Sequence, residues 1–348
     1  MTFPLPTLLS QAVVAFTIEA DHLFECRMPH YTTESRKRGE PIEGPWLISM
    51  AFWANGLKHI DADGMTVGAL ADRALLAGHF IEGSNPGLVR WGYLRLSSGA
   101  SSSKKLARDW TVAPTRHGVL AQQTWASLPA EVDARWVERW PPVSVLRGAL
   151  ADVVATADRE LPDHLPINGG HQARVEFPRR PPRPTADLDV GTLLAKALVL
   201  FSLEVEAAAD VALVQTANVL RVLAEGPVHQ RDLPRAMGVA KETAAVMTGQ
   251  ARREGLVAIA ESKEVAITDA GRRAASDADA AVAEVESRWP ADLRMQLEPL
   301  VGDGVLDGSP LAEAIRPPEG TWRHRRPRPL TLPHHPVISH RGGYPDGS

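Results

Sequence analysis

Two stretches of this chain gather side chains that pair with anions. Lys241, Arg252 and Arg253 stand within one short span, with the hydroxyls of Thr243 and Thr248 and the amide of Gln250 between them. Lys104, Lys105 and Arg108 follow a serine-rich run at residues 97–103. Lysine and arginine neutralise phosphates, and such contacts make affinity fall with salt. A different chemistry attaches to tryptophan. Seven of the nine tryptophans lie early in the chain, at Trp46, Trp53, Trp91, Trp110, Trp125, Trp136 and Trp140. They form core, or they line an apolar pocket for an aromatic ligand. Two polar clusters hold metal-ligating residue types: Glu19, Asp21, His22, Glu25, Cys26 and His30, and then His324, His334, His335 and His340. Neither has the spacing of a known zinc site. No P-loop, dinucleotide fingerprint, nucleophile elbow or HExxH motif is present. The expectation is no catalytic residue, no metal, no cofactor and no enzyme.

The elements that carry these residues are clearest in the second half. Residues 216–224 read as a helix ending at Gly226-Pro227, and residues 230–237 as a short helix ending at Gly238. Residues 241–254 read as a longer helix closed by Gly255 as a left-handed cap. Leu256–Ile259 and Glu264–Ile267 alternate as a hairpin around Glu261-Ser262-Lys263, and residues 268–289 form a long helix. In the first half the third helix ends at Arg90-Trp91-Gly92. It contains Gly83, Pro86 and Gly87, so it must be short, starting near Asn85. Strands are expected at 92–96 and 110–113, joined by the long serine-rich tip.

The halves are related. Leu8–Glu19 and Leu193–Glu204 match with Leu-Leu, Ala, Val, Phe and Glu in register, 185 positions apart. Gly64–Ala74 matches the segment that starts at Pro227, Thr115–Gly118 matches Thr268–Gly271, and Arg135-Trp136 matches Arg288-Trp289. The step from the second glycine motif to the tryptophan is 18 residues in both halves. Glu19 and Glu204 fall at equivalent positions, which predicts a structural, pseudo-symmetric hydrogen bond rather than a metal ligand. A Pro/Arg-rich stretch between the halves reads as an extended linker. The expected division is a first unit at 1–160, a linker at 161–189, a second unit at 190–301 and a Pro/His/Arg-rich tail at 302–348.

The totals set limits. With 348 residues, 44% hydrophobic and 23% charged, the chain has room for two cores. A net charge of −4 rules out a globally basic nucleic-acid binder, so any such surface must be local. One cysteine allows no internal disulfide. No signal peptide is evident and the apolar run at 190–203 is broken by Lys196, so the expected location is the cytoplasm, with no membrane contact.

Helix, helix, helix, hairpin, helix is the winged helix-turn-helix order, and it resembles the MarR family of bacterial regulators. The features that carry the resemblance are Arg252-Arg253-Glu254-Gly255-Leu256-Val257 and Ile267-Thr268-Asp269-Ala270-Gly271. The fold class it implies is mainly α with small β-hairpin wings: two tandem winged helix-turn-helix units forming a single-chain pseudo-dimer, with the helices at 8–23 and 193–208 as partners. The implied function is a transcriptional regulator of double-stranded DNA, monomeric or weakly dimeric, that responds to a small aromatic or antibiotic-like ligand. Its third helix would enter the major groove. Lys241, Arg252, Arg253, Lys104, Lys105 and Arg108 would then meet phosphates, and Lys241, Thr243, Thr248 and Gln250 would read bases. Phe16, Trp46, Trp53 and Trp91 would line the ligand pocket. Two alternatives stand beside this reading: a drug-sequestering protein that lost its DNA, and a tandem winged-helix DNA glycosylase, for which no polar catalytic pair is found.

Overall fold

The computed structural model describes residues 3–28, 50–75, 87–97, 108–163, 177–179, 184–209, 213–239, 241–301, 308–319, 324 and 332–335. Among them the chain is mainly helical with two small three-stranded antiparallel sheets. The first half runs α1 (Leu5–Arg27), α2 (Met50–Leu57), β1 (Met65–Thr66), α3 (Val67–Ala74), α4 (Gly87–Arg90), β2 (Leu94–Ser97), β3 (Thr111–Pro114), α5 (Arg116–Ala126), α6 (Leu128–Arg139) and α7 (Val143–Ala155). The second runs α8 (Val190–Ala208), α9 (Leu213–Ala224), β4 (Val228–His229), α10 (Leu233–Met237), α11 (Lys241–Arg253), β5 (Val257–Ile259), β6 (Glu264–Ile267), α12 (Asp269–Arg288) and α13 (Ala291–Val301). A short α14 (Pro310–Ala314) follows.

Each hairpin gains a third strand that periodicity did not predict, because two residues are too few to show alternation. The strand orders are β1-β3-β2 and β4-β6-β5, with Met65 opposite Val112 and Val228 opposite Val265. The turn from hairpin to helix is the same in both halves. Thr115 and Thr268 cap the following helix by accepting from the amides of Gly118 and Gly271, at 3.1 and 3.0 Å. The same hydroxyls donate to the carbonyls of Gly92 and Gly255, which sit at φ 79° and 73°. A Cβ on Gly118 or Gly271 would lie 2.1 Å from the carbonyl oxygen of Tyr93 or Leu256, so only glycine fits. The Thr-x-x-Gly repeat is thus one backbone device used twice.

One step differs. The long helix of the second half, α12, is continuous, whereas its counterpart breaks at Ser127 into α5 and α6. Pro129, in the first turn of α6, cannot donate to the preceding turn. The equivalent positions in α12 are Ala280, Ala281 and Val282.

The repeated apolar helices pack on each other. α1 meets α8, α7 packs on α8, α13 packs on α1, and α7 touches α13, so each half's C-terminal helix lies on the other half's N-terminal helix. Gly191 has no side chain where the Phe16 ring presses on α8; a Cβ there would lie 2.3 Å from that ring. The predicted pair of hydrogen bonds is present: the indole of Trp136 donates to Glu19 at 2.9 Å, and the indole of Trp289 donates to Glu204 at 3.1 Å. Phe16 stacks edge-on against Trp136 and Phe201 against Trp289, at 5.4 and 5.0 Å. Glu19 is also gripped by Arg139, yet burial pushes its carboxyl above the usual range, against the pull of Arg139 and Trp136.

The buried side chains form two cores. The larger joins the central helices to the first-half sheet, through Leu70, Leu88, Tyr93, Leu94 and Val112. The smaller lies wholly in the second half, among residues such as Leu220, Leu223, Met237, Met247, Val257, Val265 and Ile267. Two segments outside the repeated units are packed rather than free. Leu161 and Phe177 of the expected linker are buried, and Lys196 donates to the Leu161 carbonyl at 2.7 Å and pairs with Asp163. Leu332–His335 of the tail lies between the cores: Thr7 donates to the His334 carbonyl at 2.8 Å and Asn218 to the His335 carbonyl at 3.2 Å, while Leu332 passes close to Gly238. Among the described residues no helix is long and apolar enough to cross a membrane.

Candidate nucleic-acid interface

α11 packs on α9, α10 and β5. Thr243, Ala244, Met247, Thr248 and Ala251 fall on its inward face and are buried. Lys241, Ala245, Val246, Arg252 and Arg253 fall on the outward face and are exposed. Two expected base readers are therefore corrected: Thr243 is 0% and Thr248 2% exposed, because their spacing places them with Met247 against the body. Gln250 is half-buried and already engaged, accepting from Arg253 and donating to Glu254 at 2.5 Å. Lys241 and Arg252 have no ion-pair partner among the described residues.

Sequence reasoning missed the rest of this surface. A concavity of about 640 Å³ opens between α10, α11 and the hairpin tip. Its floor is apolar, with Leu233, Pro234, Ala244 and Ala245, and its rim carries His229, Arg231, Arg235, Lys241 and Lys263. Lys263 is placed by backbone: its φ is 64°, and its carbonyl accepts from the Gln230 amide at 2.9 Å. Arg231 leans on Asp232 at 3.5 Å with both groups exposed, so the pair neutralises little. Glu261 and Glu264 at the hairpin tip are the acidic neighbours of Lys263. The hydroxyl of Thr248, which lines the concavity, has no hydrogen-bond partner among the described residues. The signal in the sequence was the set of single cations at 231, 235 and 263, each on a different element and so invisible as a cluster.

The first-half counterpart is built otherwise. Of its third helix the described part is α4, four residues long; residues 76–86 lie outside the described residues, as do Lys104 and Lys105. Arg108 does not face outward alone. It grips Asp72 with two hydrogen bonds, at 2.8 and 2.9 Å, with both side chains 69% exposed.

The expected ligand residues divide. Trp46 lies outside the described residues. Trp53 and Trp91 meet edge-on at 5.9 Å and pack against the larger core. Phe16 lines a cavity of about 60 Å³ between α1, α2, the α5–α6 break and α8, where Trp125, Asn55, Lys58 and Asp163 join it. The amide nitrogen of buried Asn55 has no partner among the described residues. This volume is well below the roughly 300–1,000 Å³ of a ligand cleft. Among the described residues no three His, Cys, Asp or Glu side chains converge as a metal would require. Comparison with family models, with curated proteins and with solved structures found no match to this chain.

Proposed function

We propose that this chain is a DNA-binding regulator in which two winged-helix units form a pseudo-dimer, and that the second unit makes the main contact. The observation that carries the reading is the cationic rim around the concavity beside α11, with Arg252 and Arg253 at the helix's far end. In this reading α11 enters the major groove and Lys263, on the hairpin tip, meets the flanking phosphate. The mutual packing of α1, α7, α8 and α13 supports the pseudo-dimer, since it satisfies within one chain an interface that two subunits would otherwise build. The local charge answers the acidic total: a net charge of −4 sets no barrier when the cations converge on one face.

The test is a titration of fluorescent duplex DNA with the full chain at several salt concentrations. Affinity should fall steeply with salt, and Lys241→Ala combined with Lys263→Ala should reduce both the affinity and the slope. Affinity that is absent, or indifferent to salt and to these changes, overturns the proposal.

A second reading concerns the small cavity beside Phe16. The unpartnered amide of Asn55 and the face of Trp125 favour a small aromatic molecule as a modulator, which would have to enlarge the space by moving Trp125. Quenching of tryptophan fluorescence by sodium benzoate, lost in Asn55→Leu, would support it; no quenching would remove it.

A further inference from the structure

We propose that α11 reads the 5-methyl groups of pyrimidines on the floor of the major groove, through Ala245, Val246 and Gly249. This rests on the DNA-binding reading above. Between Lys241 at one end and Arg252 and Arg253 at the other, these three described residues hold the outward face, and none carries a hydrogen-bonding side chain. Of the uncharged hydrogen-bonding side chains of α11, Thr243 and Thr248 are buried, and Gln250 is held by Arg253 and Glu254.

Gly249 is the sharpest element of the argument. Glycine weakens a helix interior, and the fold does not ask for it here. Its φ is not in the left-handed region, and the nearest atom to an added Cβ is a terminal nitrogen of Arg253 at 3.6 Å. The reason for a missing side chain at this point lies outside the chain, in a surface that must come close. Val246 is the complementary anomaly, a β-branched apolar side chain 42% exposed in the middle of the same face. A second observation concerns the neighbouring concavity. Thr248 is 2% exposed and lines it next to Ala245, and its hydroxyl has no hydrogen-bond partner among the described residues, so this edge of the strip holds a polar atom that the described fold does not use.

Charge complementarity selects the occupant. An apolar, close-fitting strip flanked by cations matches a groove whose walls are phosphates and whose floor presents methyl groups. In the major groove thymine offers its 5-methyl to apolar side chains, while the other base edges call for donors and acceptors that Ala245, Val246 and Gly249 lack. The same methyl occurs on 5-methylcytosine.

The experiment uses the full chain and random-sequence duplex pools. One pool contains thymine, a second contains deoxyuridine in its place, and a third contains 5-methylcytosine in place of cytosine. Sites enriched from the first pool are then resynthesised with single thymine-to-deoxyuridine changes, which remove the methyl and leave the pairing intact. Each contacted position should lose about fourfold in affinity. Val246→Ala should abolish the loss at one position, and Gly249→Gln should weaken all duplexes about tenfold while the protein stays folded. Enrichment only from the third pool would assign the methyl to 5-methylcytosine and keep the proposal. Sites bound equally with thymine, deoxyuridine and either cytosine overturn it while leaving DNA binding intact. Failure to enrich any duplex overturns the DNA-binding reading, and this proposal with it.

Discussion

Superimposing the halves by their shared hydrogen bonds pairs Val67 with Gln230 and Trp110 with Lys263, since each amide of the first pair donates to the matching carbonyl of the second, at 2.8 and 2.9 Å. In this register the cations of the second half lose their counterparts. Arg231 faces Gly68, Arg235 faces Asp72, and Lys263 faces Trp110. Asp72, standing where the second half has an arginine, is the residue that pairs with Arg108. The framework is common to both halves, with capped turns, three-stranded sheets and indole–carboxylate pairs. The difference lies in what the framework presents. The first half turns its side chains into the central core, and its sheet belongs to that core; the second half keeps a core of its own and gathers cations around the concavity beside α11. A duplicated backbone therefore does not imply a duplicated activity. The same geometry serves for packing on one side and, in our reading, for binding on the other.

The largest expected effect tests the shared framework. Glu19→Ala leaves the buried Trp136 indole and Arg139 without their acceptor and should lower stability by about 3 kcal/mol. Glu204→Ala removes one partly exposed hydrogen bond and should lower it by about 1 kcal/mol. Denaturant unfolding of both variants checks the ranking, and equal losses would show that the two pairs are energetically alike.

Next comes the contrast in charge. Arg252→Ala with Arg253→Ala should weaken DNA binding about tenfold and reduce the salt slope by about two, while Arg108→Ala should change both much less, since Asp72 competes for that guanidinium. Sites selected from random DNA should accordingly show one defined half and an ill-defined partner about one helical turn away. A strict palindrome with equal arms would mean that both halves read bases.

A smaller effect concerns the strap between the two cores. Burial, with Arg221 nearby, pushes His334 down to about 4; burial, with His334 and Arg221 nearby, pushes His335 down to about 3. Both are neutral when docked, whereas in the unfolded chain they take up protons below about 6.5. The unfolded state thus binds more protons in acid, so the strap's contribution is fully present above pH 6.5 and is lost as the pH falls toward 4. Thermal melting from pH 7.5 to 4 should show a decline in midpoint that is several degrees shallower in a His334→Gln, His335→Gln variant. Identical pH profiles would show that these histidines do not set the docking.

The smallest effect is Gly249→Ala. It should raise stability by up to about 1 kcal/mol, because the position is helical, outward-facing and free of neighbours other than Arg253. A loss of stability would mean that Gly249 serves the fold after all.

Much of this was readable from the chain alone. The internal repeat follows from residue types whose roles are local: a threonine that caps, a glycine that lets a carbonyl approach, and an apolar helix that must be buried on every side. The link between Glu19 and Glu204 was legible for the same reason, since two equivalent positions in a repeat predict equivalent contacts. Helix boundaries near Arg253, Gly255 and Thr268 follow from backbone preferences that need no knowledge of the partner. Only the tertiary structure decided which face of α11 points outward. Periodicity gives a helix its faces but not its orientation, so Thr243 and Thr248 looked as available as Lys241 until packing against α9 and α10 buried them. The cationic rim was hidden because Arg231, Arg235 and Lys263 meet only when a hairpin folds over a helix. The tail strap was hidden because its carbonyls accept from Thr7 and Asn218, which lie 327 and 117 positions away in the chain. Local chemistry is written in neighbouring residues; the convergence of distant side chains on one surface depends on packing, which no short stretch of sequence contains.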